Sequence, residues 1–241
     1  MTIPTEVAPG WRWASFSGIA AAVTAAVGIV LLVLFYALQV PHLTGTGHGW
    51  GTDPGASLGD GSDVIGVVFE VLLLPLILLL WRVAADRNSW KDRTVLVLGA
   101  VSTSAAALAG SGMITHLLDE GIASGISGAG SVLIGAWIGL VSWRSAGART
   151  LPKGLTRFGK TLGVALVGSA FLVAISFVAP RSPMAIIFAV VVALPGVIAY
   201  LAIPIWIGWA AIACSRLFGG FTSGSPEVAL TRREASEAAE S

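Results

Sequence analysis

The sequence predicts an all-α membrane protein: a polytopic bundle of six transmembrane helices with both termini in the cytoplasm. Hydrophobic residues make up 55% of the 241 residues and charged residues only 11%, whereas a soluble domain carries about 25% charge. Six stretches approach the roughly 20 apolar residues that a helix needs to cross a bilayer. When these stretches are laid out as alternating spans, 13 of the 14 Lys and Arg residues fall on one side.

The six predicted spans lie within residues 1–218, and none contains Lys or Arg. Each is predicted to be helical, because lipid offers backbone groups no hydrogen-bond partner outside their own helix. The last hydrophobic window contains Pro195 and Pro204 and is long for one straight span. We therefore expect a kink, or a short separate outer segment, near one proline. The spans cover about residues 16–38, 64–81, 95–114, 126–143, 161–178 and 188–213.

The basic residues set the orientation of the predicted bundle. Arg12 precedes the first span, four basic residues lie between spans two and three, five lie between spans four and five, and three follow span six. Only Arg181 falls on the other side. Because cytoplasmic loops carry the excess of Lys and Arg, the rich side is predicted to be cytoplasmic. The high content of Arg, Ala, Gly and Val suggests a bacterial protein, so we expect a multi-pass protein of the bacterial plasma membrane.

Two segments are predicted to lie outside the membrane. Residues 42–63 include seven glycines and are expected to form a flexible outer loop, with Ser62 or Asp63 capping the second span. Residues 219–241 are small and polar and are predicted to be a disordered cytoplasmic tail.

Rows of small residues mark helix faces in spans three and four. Small side chains let membrane helices approach closely. We interpret the rows as contacts within one bundle; the alternative is a face for a homo-oligomer or another membrane partner. The rows are Ser102, Ala106 and Gly110, and Ser131, Gly135 and Gly139.

Glu70 is the one ionisable residue inside a predicted span. It lies six residues after Val64, about 9 Å into the membrane. Pro75 cannot donate to the carbonyl of Val71, so an unpaired carbonyl is expected next to Glu70. An intramembrane carboxyl group indicates a functional site, here for a proton or cation. The alternative is a neutral carboxyl group hydrogen-bonded within the bundle or reaching interfacial water.

The predicted outer face collects candidate metal ligands. If the third span continues as a helix, three of them share one face at i, i+3 and i+4. An imidazole and a carboxylate one turn apart can hold a divalent metal ion; the alternative is a polar helix end that meets water. A haem held by two histidines is a further possibility. The candidates are His116, Asp119 and Glu120, joined by His42 and His48.

Short motifs along the chain give a family resemblance. They are the sequence WRWAS at 11–15, a Gly- and Asp-rich outer loop, Trp81 and Arg82 closing span two, and YLAIPIW at 200–206. In these features the chain resembles a group of actinobacterial six-span membrane proteins of unknown function. The resemblance covers most of the chain and implies the six-span architecture.

Three hypotheses for function follow. The first is a non-enzymatic membrane protein with an accessory or structural role, favoured because no catalytic constellation is recognised. It predicts no polar cavity. The second is a small transporter or cation-responsive protein that uses Glu70 and the outer acidic residues, and it predicts a cavity reaching Glu70 from outside. The third is a metal- or haem-binding redox protein at the outer face. Lipid is the expected partner and nucleic acid is not.

Overall fold

The structure is a computed structural model that describes residues 11–43, 54–84, 90–178 and 183–219, and these residues are almost entirely helical. Five of its six helices are long and apolar enough to cross a membrane; α5 is not among those five. The helices are α1 (Trp11–Leu43), α2 (Pro54–Ala84), α3 (Trp90–Ile114), α4 (Glu120–Ala148), α5 (Lys153–Val178) and α6 (Pro183–Gly219).

The six helices form a closed ring. Each helix packs against the next one in sequence, and α6 packs against α1. The pairing of residues shows that neighbours run antiparallel. Gly18 of α1 lies against Leu76 of α2, whereas Gly28, further along α1, lies against the earlier residue Ile65. The beginning of α1 and the end of α6 therefore lie at the same end of the bundle.

The two ends of the bundle differ in charge. We call the end that carries the turn between α4 and α5 the basic end, and the end that carries the turn between α3 and α4 the opposite end. Every Lys or Arg in the described helices and turns lies near the basic end, whereas Asp63 and Asp119 lie near the opposite end. The described basic residues are Arg12, Arg82, Lys91, Arg93, Arg144, Arg149, Lys153, Arg157, Lys160 and Arg216.

α5 spans the ring beside α4 and α6. Its 26 residues would extend about 39 Å. Gly163 approaches the backbone of Gly139 on α4, and Gly154 lies against Trp209 near the end of α6. Lys153, Arg157 and Lys160 fall in its first turns, so its uncharged part begins at Thr161.

The half of the bundle towards the basic end has a solid core. Trp137 of α4 and Trp206 of α6 are fully buried and meet edge to face, with ring centroids 5.9 Å apart. The Nε1 of Trp206 donates to the carbonyl of Leu155 at 3.3 Å. Glycines make room for these large rings, since a side chain on Gly99 would meet Trp137 and one on Gly159 would meet Trp206.

The small-residue rows make contacts inside the chain. Gly110 lies against Val67 of α2. Gly130, next to Ser131, lies against Ala106 and the carbonyl of Ser102. On the other face of α4, Gly135 lies against Leu166 of α5. These small residues therefore pack neighbouring helices of the same chain. A role for them in binding a partner stays a prediction.

The outside of the ring is apolar. Large hydrophobic side chains on α1, α3 and α5 are mostly exposed, such as Phe16, Leu108, Val164 and Phe171. Exposed apolar surface of this extent needs a lipid covering rather than water. Together with the five long apolar helices, it suggests a membrane protein.

One prediction about helix boundaries is wrong, and one of two alternatives for the last span is excluded. α2 begins at Pro54 rather than near Val64, so the second half of the predicted loop is helical and neither Ser62 nor Asp63 caps the helix. Packing against α1 explains the added turns: the Ser62 hydroxyl donates to the carbonyl of Gly28 at 3.4 Å, and such tertiary contacts outweigh the weak helix propensity of glycine. α6 is one unbroken helix, so there is no separate segment before Pro195. The alternative, a kink near one proline, stays a prediction. The predicted tail beyond Gly219 lies outside the described residues.

Candidate functional site

A cavity of about 220 Å³, partly open to the surface, lies in the half of the bundle towards the opposite end. Five helices line it, and α5 does not. It extends from the level of Ser62 and Asp63, near the opposite end, to that of Ile203 and Pro204, near the middle of α6. Beyond those residues the bundle is closed by the core around Trp137 and Trp206.

Small residues create this space. Gly28 on α1, Gly66 on α2, Gly110 on α3 and Ser131 on α4 all line the cavity. A Cβ atom on Gly66 would meet nothing within 4 Å. Small side chains on four facing helices thus leave unfilled volume, whereas leucine, isoleucine and tryptophan fill the other half of the bundle.

Glu70 lies within this cavity. Its side chain is only 9% exposed, and it lies about 10 Å along α2 from Asp63, at 1.5 Å per residue. The carboxyl oxygen Oε2 is enclosed and has no hydrogen-bond partner among the described residues. Burying a polar group without a partner is costly, so a ligand that supplies a donor would stabilise the filled cavity.

Two hydroxyl groups that line the cavity already donate to the backbone. The Ser131 hydroxyl donates to the carbonyl of Ser127 at 3.0 Å, and the Ser62 hydroxyl donates to Gly28. Because these hydroxyl hydrogens are bonded to backbone carbonyls, the hydroxyl groups can offer a ligand only the lone pairs of their oxygens, as acceptors. Asp63 and Tyr200 also line the cavity, and no Lys, Arg or His is among its described lining residues. The site therefore suits a ligand that donates hydrogen bonds or carries positive charge.

Prolines interrupt the hydrogen bonding of two of the lining helices. Pro204 lines the cavity one turn after Tyr200, so the Tyr200 carbonyl lacks its usual i+4 donor. Pro75 does the same to the carbonyl of Val71, next to Glu70. Beside it, the Ser17 hydroxyl donates to the Leu72 carbonyl at 2.6 Å. Of these carbonyl groups, that of Tyr200 belongs to a residue that lines the cavity.

The proposed metal ligands do not share a helix face. α3 ends at Ile114, and His116 adopts a left-handed backbone conformation in the turn that follows. Asp119 caps α4 by accepting from the amide of Gly121 at 2.9 Å. The helical spacing assumed for His116, Asp119 and Glu120 is therefore wrong, because the chain turns between them.

No three His, Cys, Asp or Glu side chains within the described residues are grouped as metal ligands would be. The side chains of His42 and Glu120, and all of His48, lie outside what the structure describes. Metal or haem binding at this end of the bundle stays a prediction.

Two stretches match enzyme motifs in residue type but not in secondary structure. Residues 154–161 (GLTRFGKT) fit the phosphate-binding pattern G-x-x-x-x-G-K-[ST], and residues 55–59 (GASLG) fit G-x-S-x-G. Both lie inside helices, α5 and α2. Phosphate binding needs a loop with free backbone amides, and a nucleophile elbow needs a strand-to-helix turn. Neither stretch has that context.

The chain matches no protein-family model, no curated protein and no solved structure. The resemblance to actinobacterial six-span proteins accordingly stays a prediction. The candidate site depends on its geometry alone.

Sequence reasoning singled out Glu70 but missed the other cavity residues. Tyr200 and Ser131 lie 130 and 61 positions further along the chain, and nothing local in the sequence shows that they face Glu70. One available signal was Tyr200 itself, a phenol one turn before a proline in an apolar helix.

Proposed function

We propose that this chain is a six-span membrane transporter that binds a small cation at Glu70 and carries it across the bacterial plasma membrane. The observation that carries the proposal is the enclosed carboxyl oxygen of Glu70, which has no partner in the described part of the chain and lies in a cavity that occupies one half of the bundle. The cavity also favours transport over an accessory or structural role, which predicts no polar cavity.

The antiparallel ring supports six spans. α5 runs beside α4 and α6 and is about 39 Å long, enough to cross a hydrocarbon core of about 30 Å. With six crossings, the start of α1 and the end of α6 share a side. The concentration of basic residues there supports a cytoplasmic location for that side, and the cavity then faces the outside.

The charges around the cavity support a cationic ligand. A carboxylate in an apolar cavity is costly unless it is paired, and ionisable residues at membrane depth mark substrate or ion pathways. The oxygen acceptors of Asp63, Ser131 and Tyr200 add to the preference of the cavity for a cation.

The distribution of packing supports transport rather than binding alone. The cavity occupies one half of the bundle, and the tryptophan core closes the other half. α2 and α6, which carry prolines inside the membrane, both line the cavity. Each proline removes one backbone hydrogen bond from its helix, and this local weakening supports a site that opens alternately to the two sides.

The test is charge movement in proteoliposomes that contain the full chain. Concentration jumps of Na⁺, K⁺, methylammonium and benzylammonium are applied, and the transient current is recorded. We expect at least one cation to give a current that falls at least tenfold in Glu70→Gln. Asp119→Asn is the matched control, because Asp119 lies near the same end but does not line the cavity, and asparagine also caps helices.

Equal currents in the Glu70→Gln and unmodified proteins would overturn the proposal. So would the absence of any protein-dependent current for all four cations. Comparable expression and gel-filtration behaviour of the two variants excludes misfolding as the cause of a lost current.

A further inference from the structure

We infer that the cation bound at Glu70 is a small organic ammonium ion with an apolar body. This ligand class specifies the substrate of the proposed function and rests on that function. The inference concerns the chemical class of the ligand. Three features of the cavity lead to it: the number of acceptors, the apolar lining and the volume.

The described acceptors fit an ammonium group. An ammonium carries three N–H donors and no acceptor. The Glu70 carboxylate can take one or two of these donors, and Tyr200, whose carbonyl lacks its usual helical donor, is among the residues that line the same cavity. Bound Ca²⁺ or Mg²⁺ needs about six or more oxygen ligands in a shell around the ion. The carboxyl groups that line the cavity, those of Glu70 and Asp63, are seven residues apart on α2.

Most of the lining is hydrocarbon. Six of the twenty lining residues have polar side chains, and the others are apolar or glycine. Ile29, Leu32 and Ile134 contribute aliphatic surface from two helices, and Phe69 and Tyr200 contribute rings. A hydrated inorganic ion gains nothing from such walls, whereas an organic cation buries apolar surface against them and gains from a ring face next to its charge.

The volume limits the size of the ligand. An apolar cavity of about 150 Å³ holds one benzene molecule, and drug-sized ligands occupy cavities of about 300 Å³ or more. The 220 Å³ cavity lies between these values. It therefore suits one ring or a short branched chain that bears an ammonium group, of which benzylammonium is a suitable probe.

The experiment measures protection of a cysteine placed in the cavity. Gly66→Cys is suited because Gly66 lines the cavity one turn from Glu70 and its Cβ position is unobstructed. The native Cys214 is fully buried in the other half of the bundle and should not react. Leu117→Cys, in the exposed turn between α3 and α4, is the matched control outside the cavity.

The full-length variants in proteoliposomes are treated with a water-soluble maleimide in the presence of each of four probes. Benzylammonium should slow labelling of Gly66→Cys at least fivefold. Benzyl alcohol has the same shape without the charge, and methylammonium and Na⁺ have the charge without the ring. These three should slow labelling less than twofold. Protection should disappear in Gly66→Cys/Glu70→Gln, whose unprotected labelling rate shows that the cavity is intact, and Leu117→Cys should never be protected.

The outcomes separate the two proposals. If Na⁺ or methylammonium protects as well as benzylammonium and protection needs Glu70, the cation site stands and the apolar body is wrong. If benzyl alcohol protects equally, or if protection survives Glu70→Gln, the inferred ligand class is overturned. If Gly66→Cys is not labelled at all, water does not reach the cavity and the proposed function fails with the inference.

Discussion

Glu70 is expected to lower the stability of the empty protein while serving the proposed function. Its carboxyl group is 9% exposed, and one oxygen has no partner among the described residues. Removing a buried polar group from water without a compensating hydrogen bond costs about 1–3 kcal/mol in mutational data. A side chain that weakens the empty protein in this way is what a binding site requires, since the ligand restores the missing interaction.

Replacing Glu70 by methionine should therefore stabilise the protein while removing cation binding. Methionine is similar in length and fills irregular spaces, so we expect the free energy of unfolding to rise by about 1–3 kcal/mol. Thermal unfolding in detergent measures the change, with Asp119→Asn as a control expected to stay within about 0.5 kcal/mol. A less stable Glu70→Met protein would show that the carboxyl group is already satisfied when the cavity is empty.

The importance of Glu70 was visible from the sequence, because a single carboxyl group in an apolar span is conspicuous. Its surroundings were not, since Ser131 and Tyr200 reach it only through the packing of α4 and α6. The opposite happened with the metal ligands. Their local spacing looked informative, but a turn at His116 separates them. Local patterns thus failed wherever the chain changed direction or where contacts crossed the bundle.

At the level of helices, close approach of backbones determines how the ring is built. Gly163 of α5 faces Gly139 of α4, and a side chain on Gly163 would collide with that backbone. Gly159, one turn earlier, has no room because Ser142 and the Nε1 of Trp206 occupy the position of a Cβ atom. These close approaches hold α5 against both of its neighbours, α4 and α6.

Gly159→Ala and Gly168→Ala, both on α5, should change stability in opposite directions. Alanine at 159 must displace fully buried groups, which costs about 1–3 kcal/mol. Alanine at 168 meets nothing within 4 Å and gains up to about 1 kcal/mol from its better helix propensity. The midpoints of thermal unfolding of the two variants measure this difference. Equal destabilisation by both would mean that α5 does not pack on α4 and α6 as described.

The helices themselves were mostly predictable from hydrophobicity, because each predicted span lies inside one helix. The residues at which the helices begin and end were less predictable. α2 gained ten residues before Val64 because α1 supplies packing partners for them, such as Leu31 beside Gly61. Length and hydropathy locate the part of a helix that lipid demands. The extensions depend on neighbouring helices and cannot be found from local composition.

At the level of the whole molecule, the separation of charges gives the bundle two chemically different ends. Bases surround the end where α1 begins and α6 ends, and the described side chains at the other end include Asp63 and Asp119 but no Lys or Arg. The sequence predicted this separation through its basic residues. It did not predict that α6 would close on α1, because that contact joins the two most distant helices of the chain.

The proposed orientation can be checked with two cysteines at the two ends of α4. Leu117→Cys, in the α3–α4 turn where Leu117 is 82% exposed, should react with a membrane-impermeant maleimide in intact cells. Gly147→Cys, near the end of α4 with open space around it, should react only after the cells are permeabilised. The reverse pattern would place the cavity on the cytoplasmic side, and reaction of both in intact cells would contradict a membrane-spanning α4.

The closure of α6 on α1 also bears on how freely the order of the helices could be rearranged. Because every helix touches its two neighbours around the circle, the break between the last helix and the first is, in packing terms, one more junction. A gene reordered to start at α5 and to finish with α4, with a flexible linker joining α6 to α1, would encode the same set of contacts and keep the new termini on the same side. Circular permutation of this kind succeeds in proteins whose chain ends lie close together.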